Sequence, residues 1–146
     1  MSACQGVLAF LVAASIFATS PVGALQCCQG LVHNPKEFPP LKTCDVKPFH
    51  GCFLVGYTTS DGQWNDLYGC VKKECSEDEA KKWAEKFGDD VKCVSSPEGA
   101  CCDVIVKDTE ASKKAKLKIG SKAGGCCCIT NACTGPEKKI FHRLFR

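Results

Sequence analysis

Cys126-Cys127-Cys128-Ile129-Thr130-Asn131-Ala132-Cys133 ends the cysteine-bearing part of the chain and puts four thiols into eight consecutive residues. Adjacent cysteines seldom bond each other because the geometry is strained, so this run must reach several other parts of the chain. Gly124-Gly125 lead into it, and cysteine pairs recur at Cys27-Cys28 and Cys101-Cys102. Fourteen cysteines in 146 residues is the density of a disulfide scaffold in a short secreted protein. Zinc is the competing use of so many thiols. The spacing argues against it, because no Cys-x-x-Cys pair occurs and His33, His50 and His142 stand alone. No metal ligands and no cofactor are expected.

The N-terminus points to the same compartment. Val7 to Ala18 (VLAFLVAASIFA) is apolar and uncharged, too short to cross a bilayer, and followed by Pro21, Val22, Gly23 and Ala24. This is the layout of a signal peptide over residues 1–24, cut after Ala24, with Ala18 or Gly23 as alternative sites. Cleavage removes Cys4 and leaves thirteen cysteines in 122 residues. An odd number requires at least one free thiol or one bond between chains, which raises a disulfide-linked homodimer as one reading. A single domain over 25–133 and a short basic tail over 134–146 (TGPEKKIFHRLFR) complete the division. The tail lacks the apolar stretch of a lipid-anchor signal, so an extracellular, secreted product without anchor or transmembrane segment is expected. The net charge of +3 is mild and makes no case for nucleic acid. No Asn-x-Ser/Thr sequon is present.

Local pattern suggests a small, mainly β domain. Leu25 to Cys44 carries Pro35, Pro39 and Pro40 and reads as at best a short edge hairpin. Cys52–Tyr57 reads as a strand, Ser60-Asp61-Gly62 as a turn and Gln63–Cys70 as the returning strand. Ser76–Phe87 reads as the one helix. Ser76 and Glu79 form its capping box, Ala80, Trp83, Ala84 and Phe87 its packing face, and Glu77–Lys81 and Asp78–Lys82 its supporting pairs. Cys101–Lys107 reads as a strand, followed by a long lysine-bearing loop and a return through Gly124-Gly125. Five or six short strands and one helix have little apolar sequence to hold them without cross-links.

Several of these residues also resemble a known family. Leu25-Gln26-Cys27, Gly69-Cys70 followed by Cys75, and Cys127-Cys128-Ile129-Thr130-Asn131-Ala132-Cys133 are similar to the opening, middle and closing motifs of the Ly6/uPAR three-finger superfamily. The triple Cys126-Cys127-Cys128 followed by Thr130, and a helix after the Gly-Cys step, look most like the nematode ET module. Asn131, Thr134 and the adjacency of Cys27 and Cys28 depart from the family pattern. The resemblance implies a three-finger-like (snake-toxin/Ly6-like) fold of antiparallel hairpins with one short helix inserted near 76–87. It also implies the pairs Cys27–Cys70, Cys28–Cys44, Cys52–Cys75 and Cys128–Cys133. Cys127 would then pair with Cys93, Cys101 or Cys102, with Cys101–Cys127 taken as the representative choice.

Function is expected to be binding without catalysis. There is no Gly-x-Ser-x-Gly, no His-Glu-x-x-His, and no His beside a cysteine pair with the calcium loop that a phospholipase A2 needs. An extracellular or cell-surface protein is the expected partner. Trp64 beside the Ser60–Trp64 turn is one candidate contact. The lysines Lys113, Lys114, Lys116 and Lys118, in the loop that runs on to Lys122, are the others. Whether Trp64 faces a partner or packs across its hairpin is left open by the sequence. The alternative is that these lysines, with Lys138, Lys139, Arg143 and Arg146 in the tail, engage an anionic glycan or membrane surface by charge.

Overall fold

The computed structural model describes residues 25–34, 36–44, 51–130 and 133–134. The expected signal peptide and the tail beyond Thr134 lie outside the described residues. In chain order the elements are β1 (Gln26–Cys28), β2 (Gly30–Val32), β3 (Leu41–Thr43), β4 (Gly51–Thr58), β5 (Trp64–Val71), α1 (Glu77–Glu85), β6 (Gly88–Ser96), β7 (Gly99–Val106), α2 (Glu110–Lys114) and β8 (Lys122–Cys128).

The sequence Cys52-Phe53-Leu54-Val55-Gly56-Tyr57 alternates between two environments. Cys52, Leu54 and Gly56 are buried, while Phe53, Val55 and Tyr57 are half-buried on the opposite face. β4 can bury one face fully because it is a central strand. The main sheet runs β2-β5-β4-β8-β7-β6, antiparallel throughout, and β1 pairs with β3 in a separate ribbon. Cys28, Leu54 and Tyr68 form one buried cluster with Phe38 and Leu41 against them. α1 lies on the other face, with Ala84 buried among Cys102, Val104, Val106 and Ala123. The expected small, mainly β, disulfide-rich fold is present.

Three local expectations change. β6 (GDDVKCVSS) is polar enough to escape a sequence reading; it is an edge strand with a register shift between Asp89 and Lys92. The long lysine loop contains a second, one-turn helix, α2, capped by the Thr109 hydroxyl, so the domain has two helices among its described residues. α1 begins after the Ser76 cap as expected, and Ser76 Oγ accepts from the Glu79 amide. Its ion pairs are Lys81–Glu85 and Lys82–Glu79, because the Glu77 carboxylate instead accepts a hydrogen bond from Ser95 of β6.

The disulfide framework is also different. The structure joins Cys27–Cys52, Cys44–Cys70, Cys75–Cys127, Cys93–Cys102, Cys101–Cys126 and Cys128–Cys133. Of the implied pairs only Cys128–Cys133 is present. Cys27–Cys70 and Cys52–Cys75 give way because β1 meets the start of β4, which brings Cys27 to Cys52. Cys28–Cys44 gives way because Cys44, at the end of β3, reaches Cys70; Cys28 is itself disulfide-bonded and buried. Cys101–Cys127 fails on register. Cys101 stands opposite Cys126, so Cys127 points to the other face of the sheet. No cysteine among the described residues is free.

The links differ in what they restrain. Cys75–Cys127 spans 52 residues and ties the start of α1 to the sheet, whereas Cys93–Cys102 spans 9 within one hairpin. In the chain-entropy view the first contributes about 4 kcal/mol and the second about 2.5 kcal/mol. Replacing Cys75 and Cys127 together by serine is therefore expected to lower urea stability by the larger amount. It should also speed amide exchange in α1, whereas the Cys93/Cys102 double serine variant should leave α1 protected. Equal losses, with α1 unaffected in both, would contradict this division of labour.

Candidate binding surface

The β4–β5 turn is built by its own polar side chains. The Thr59 amide donates to the Gln63 carbonyl at 2.9 Å, and the Gly62 amide to the Thr59 carbonyl at 2.8 Å. Gly62 has φ of +87°, the left-handed residue that closes a three-residue hairpin loop. The Asp61 carboxylate accepts from the Thr59 hydroxyl and, at 3.2 Å, from the Gln63 amide. These two donors, the hydroxyl first, hold the Asp61 carboxyl below its ordinary range.

Trp64 sits just inside this turn. Its ring lies over Gly56, where a Cβ would fall 2.6 Å from the ring, and its indole N–H donates to Asp66 Oδ1 at 3.1 Å. Gly56 thus leaves room for a cross-strand packing contact, and Trp64 is half-buried rather than free.

The structure brings part of the lysine segment to the same place. Leu117 forms a β-bridge with Thr59, the Ser60 amide donates to the Lys116 carbonyl at 2.9 Å, and the Lys118 amide to the Thr58 carbonyl at 2.9 Å. Leu117 is buried and anchors the segment, leaving Lys116 and Lys118 exposed beside the turn. Lys113 and Lys114 lie farther back on α2, and Lys113 pairs with Asp108 at 3.5 Å. Thr109 and Ser112 hold α2 against α1 by donating to the carbonyls of Lys86 and Phe87 at 2.7 and 2.8 Å. Those carbonyls at the helix end gain partners in this way.

Lys116 has φ of +56°, at the position after the C-cap of α2 where glycine is usual. A non-glycine residue there costs on the order of 1 kcal/mol. The sequence marked Lys116 as a candidate contact but not its left-handed conformation, because the short helix that creates it was read as loop. Thr59, Asp61 and Gln63 were likewise invisible as a unit, although the Asp-Gly pair marked the turn.

The sulfurs of Cys27, Cys44 and Cys70 lie within 4.8 Å of one another, but each is committed to a disulfide. His33 Nδ1 shares a short hydrogen bond with Asn65 Oδ1 at the β2–β5 edge. No helix among the described residues is long and apolar enough to cross a membrane. Comparisons of the chain with protein-family models, curated proteins and solved structures return no match.

Two outcomes follow from the turn. Trp64→Ala should lower stability by about 2 kcal/mol in chemical denaturation, as large-to-small changes at packed aromatic sites do. An unchanged midpoint would make the ring dispensable to the fold. Asp61 has a lowered native pKa, so its contribution is full above the ordinary aspartate range and is lost as the pH falls through the lower native value. In an NMR titration the Gln63 amide should therefore shift in acid below the ordinary aspartate midpoint. A shift centred on the ordinary midpoint would mean that the Asp61 hydrogen bonds do not persist in solution.

Proposed function

We propose that this chain is a secreted, non-enzymatic binding module of the Ly6/uPAR three-finger type, closest to the ET module, which docks on an extracellular or cell-surface protein. The direction of the loops supports the three-finger part of this reading. His33 and Asn34 after β2, Thr59–Gln63 and the connection carrying α2 all lie toward one end of the sheet. The links Cys27–Cys52, Cys44–Cys70 and Cys128–Cys133 gather at the other. Projections of this kind are ordered before they meet a partner, which lowers the cost of binding.

The observation that carries the functional part is Lys116. A lysine occupies a left-handed backbone position beside a rigid, exposed turn, where glycine would be more stable. Strain retained at an exposed loop is the pattern of a residue kept for its side chain. Lys118, Ser60 and the exposed part of Trp64 complete the surface.

The experiment separates fold from function in one substitution. Lys116→Gly is expected to raise stability by about 1 kcal/mol and to weaken saturable binding of the secreted protein to intact cells of the producing organism. Binding should survive 0.5 M salt, a screening length of only about 4–5 Å, and be abolished by surface proteolysis. Retention of full binding by Lys116→Gly would sink the tip reading. Binding lost in salt and removed by glycan-degrading enzymes would instead favour the charge-driven alternative, in which the lysines meet an anionic glycan or membrane surface.

A further inference from the structure

α1 covers only part of its side of the main sheet. It packs on β6, β7 and β8, so the same face of β4 and β5 is left beside it without a covering element among the described residues. Phe53, Val55 and Tyr57 of β4 and Leu67 of β5 line that strip, and Leu67 is 37% exposed. Two glycines deepen it. A Cβ at Gly69 would fall 2.6 Å from the Phe53 ring, and one at Gly125 would fall 3.1 Å from the Trp83 ring. Both aromatic rings therefore approach the backbone closely, and cavities open beside them.

The trough that these cavities form has two ends of different character. One is a cavity of about 600 Å³, in the size range of small-molecule sites, with Lys72, Lys73, Lys82 and Lys86 among its lining residues. It also has Glu74 and Glu79, and Glu79 is already taken by Lys82 at 3.4 Å. Among the described residues Lys72, Lys73 and Lys86 form no ion pair. The other end is a cavity of about 270 Å³, and none of its lining residues is charged. Phe53, Val55 and Trp83 line both, so the two adjoin at these side chains.

We propose that this trough binds a single-chain anionic amphiphile of the long-chain fatty-acid class. The carboxylate would meet Lys72 and Lys73, and the alkyl chain would run past Trp83 towards Leu67 and Leu117. The pairing of an excess of lysine at one end with an uncharged far end selects this occupant by charge and polarity together. The chain's own tail carries Lys138, Lys139, Arg143 and Arg146 and would set like charges against the rim. A second copy docked face to face would oppose two lysine rims. The inference does not rest on the tip-binding reading and uses different residues.

Titration of the full, disulfide-intact secreted chain with hexadecanoate below its micelle concentration tests it. Calorimetry should report saturable one-to-one binding, about tenfold weaker for hexadecanol and about tenfold weaker for the Lys72→Glu/Lys73→Glu variant, whose exposed positions leave folding intact. Leu67→Arg, at the far end, should weaken hexadecanoate but leave octanoate affinity unchanged. Absence of saturable hexadecanoate binding overturns the proposal, as does equal affinity for acid and alcohol or for wild-type and charge-reversed protein. A dimer that hexadecanoate does not dissociate, or NMR contacts between residues 135–146 and the Trp83 ring, would give the trough another occupant and likewise overturn it.

Discussion

A β-strand sends consecutive side chains to opposite faces, and β8 places three consecutive cysteines under that rule. Cys127 faces α1 and bonds Cys75, while Cys126 and Cys128 face the ribbon of β1 and β3, where they bond Cys101 and Cys133. One strand therefore fastens both faces of the sheet. Behind it Cys27–Cys52 and Cys44–Cys70 pack together, with Cys44 and Cys27 sulfurs 3.5 Å apart, and Cys27, Cys52, Cys101, Cys126 and Cys128 share a buried cluster. Sulfur here supplies both the cross-links and much of the packed interior. Half-cystines are compact and apolar, so a cluster of them excludes water as aliphatic side chains would.

The same arrangement explains how the fold stands with part of an apolar face uncovered among the described residues. In most small proteins a half-open sheet would weaken the core, because burial is the main stabilising contribution. Here α1 is held at its start by Cys75–Cys127 and at its end by hydrogen bonds from Thr109 and Ser112 to the Lys86 and Phe87 carbonyls. The helix need not cover the entire face to stay in place. Only Ala84 of α1 is fully buried, and Trp83 and Phe87, with ring centroids 5.0 Å apart, form the wall of a trough. The helical spacing of these residues correctly marked a packing face. It could not reveal how much of the opposing sheet that face would reach.

Other parts of the fold divide along the same line between local and long-range information. The β4–β5 hairpin, the Ser76 cap and the strand at Cys101 are legible because alternation, turn chemistry and capping act within a few residues. β6 was not, because an edge strand with Asp89, Asp90 and Lys92 lacks the apolar alternation that marks a buried one. The disulfides were least legible. Which cysteine meets which depends on register between strands far apart in sequence, and a one-residue difference moves a thiol to the other face. Cys101 opposite Cys126 rather than Cys127 is such a difference. The tip surface stood midway: its turn could be read, but its junction with Lys116–Lys118 required the Thr59–Leu117 bridge.

Rigidity at the disulfide-rich end and strain at the loop end are linked. A left-handed lysine persists only when its surroundings over-determine the backbone. Around Lys116 they do. Its amide donates to the Lys113 carbonyl at 3.1 Å, its carbonyl accepts from Ser60, and the next residue, Leu117, is buried in the α1 cluster. Leu117 can bury there because α1 is fixed to the sheet, and α1 is fixed by a bond to β8. The loop conformation thus depends on a cysteine at the opposite end of the strand, and loss of that bond would relax Lys116 without touching it. A hydrophobic core of ordinary size could support the same loop, but in this short domain the restraint reaches the surface through sulfur.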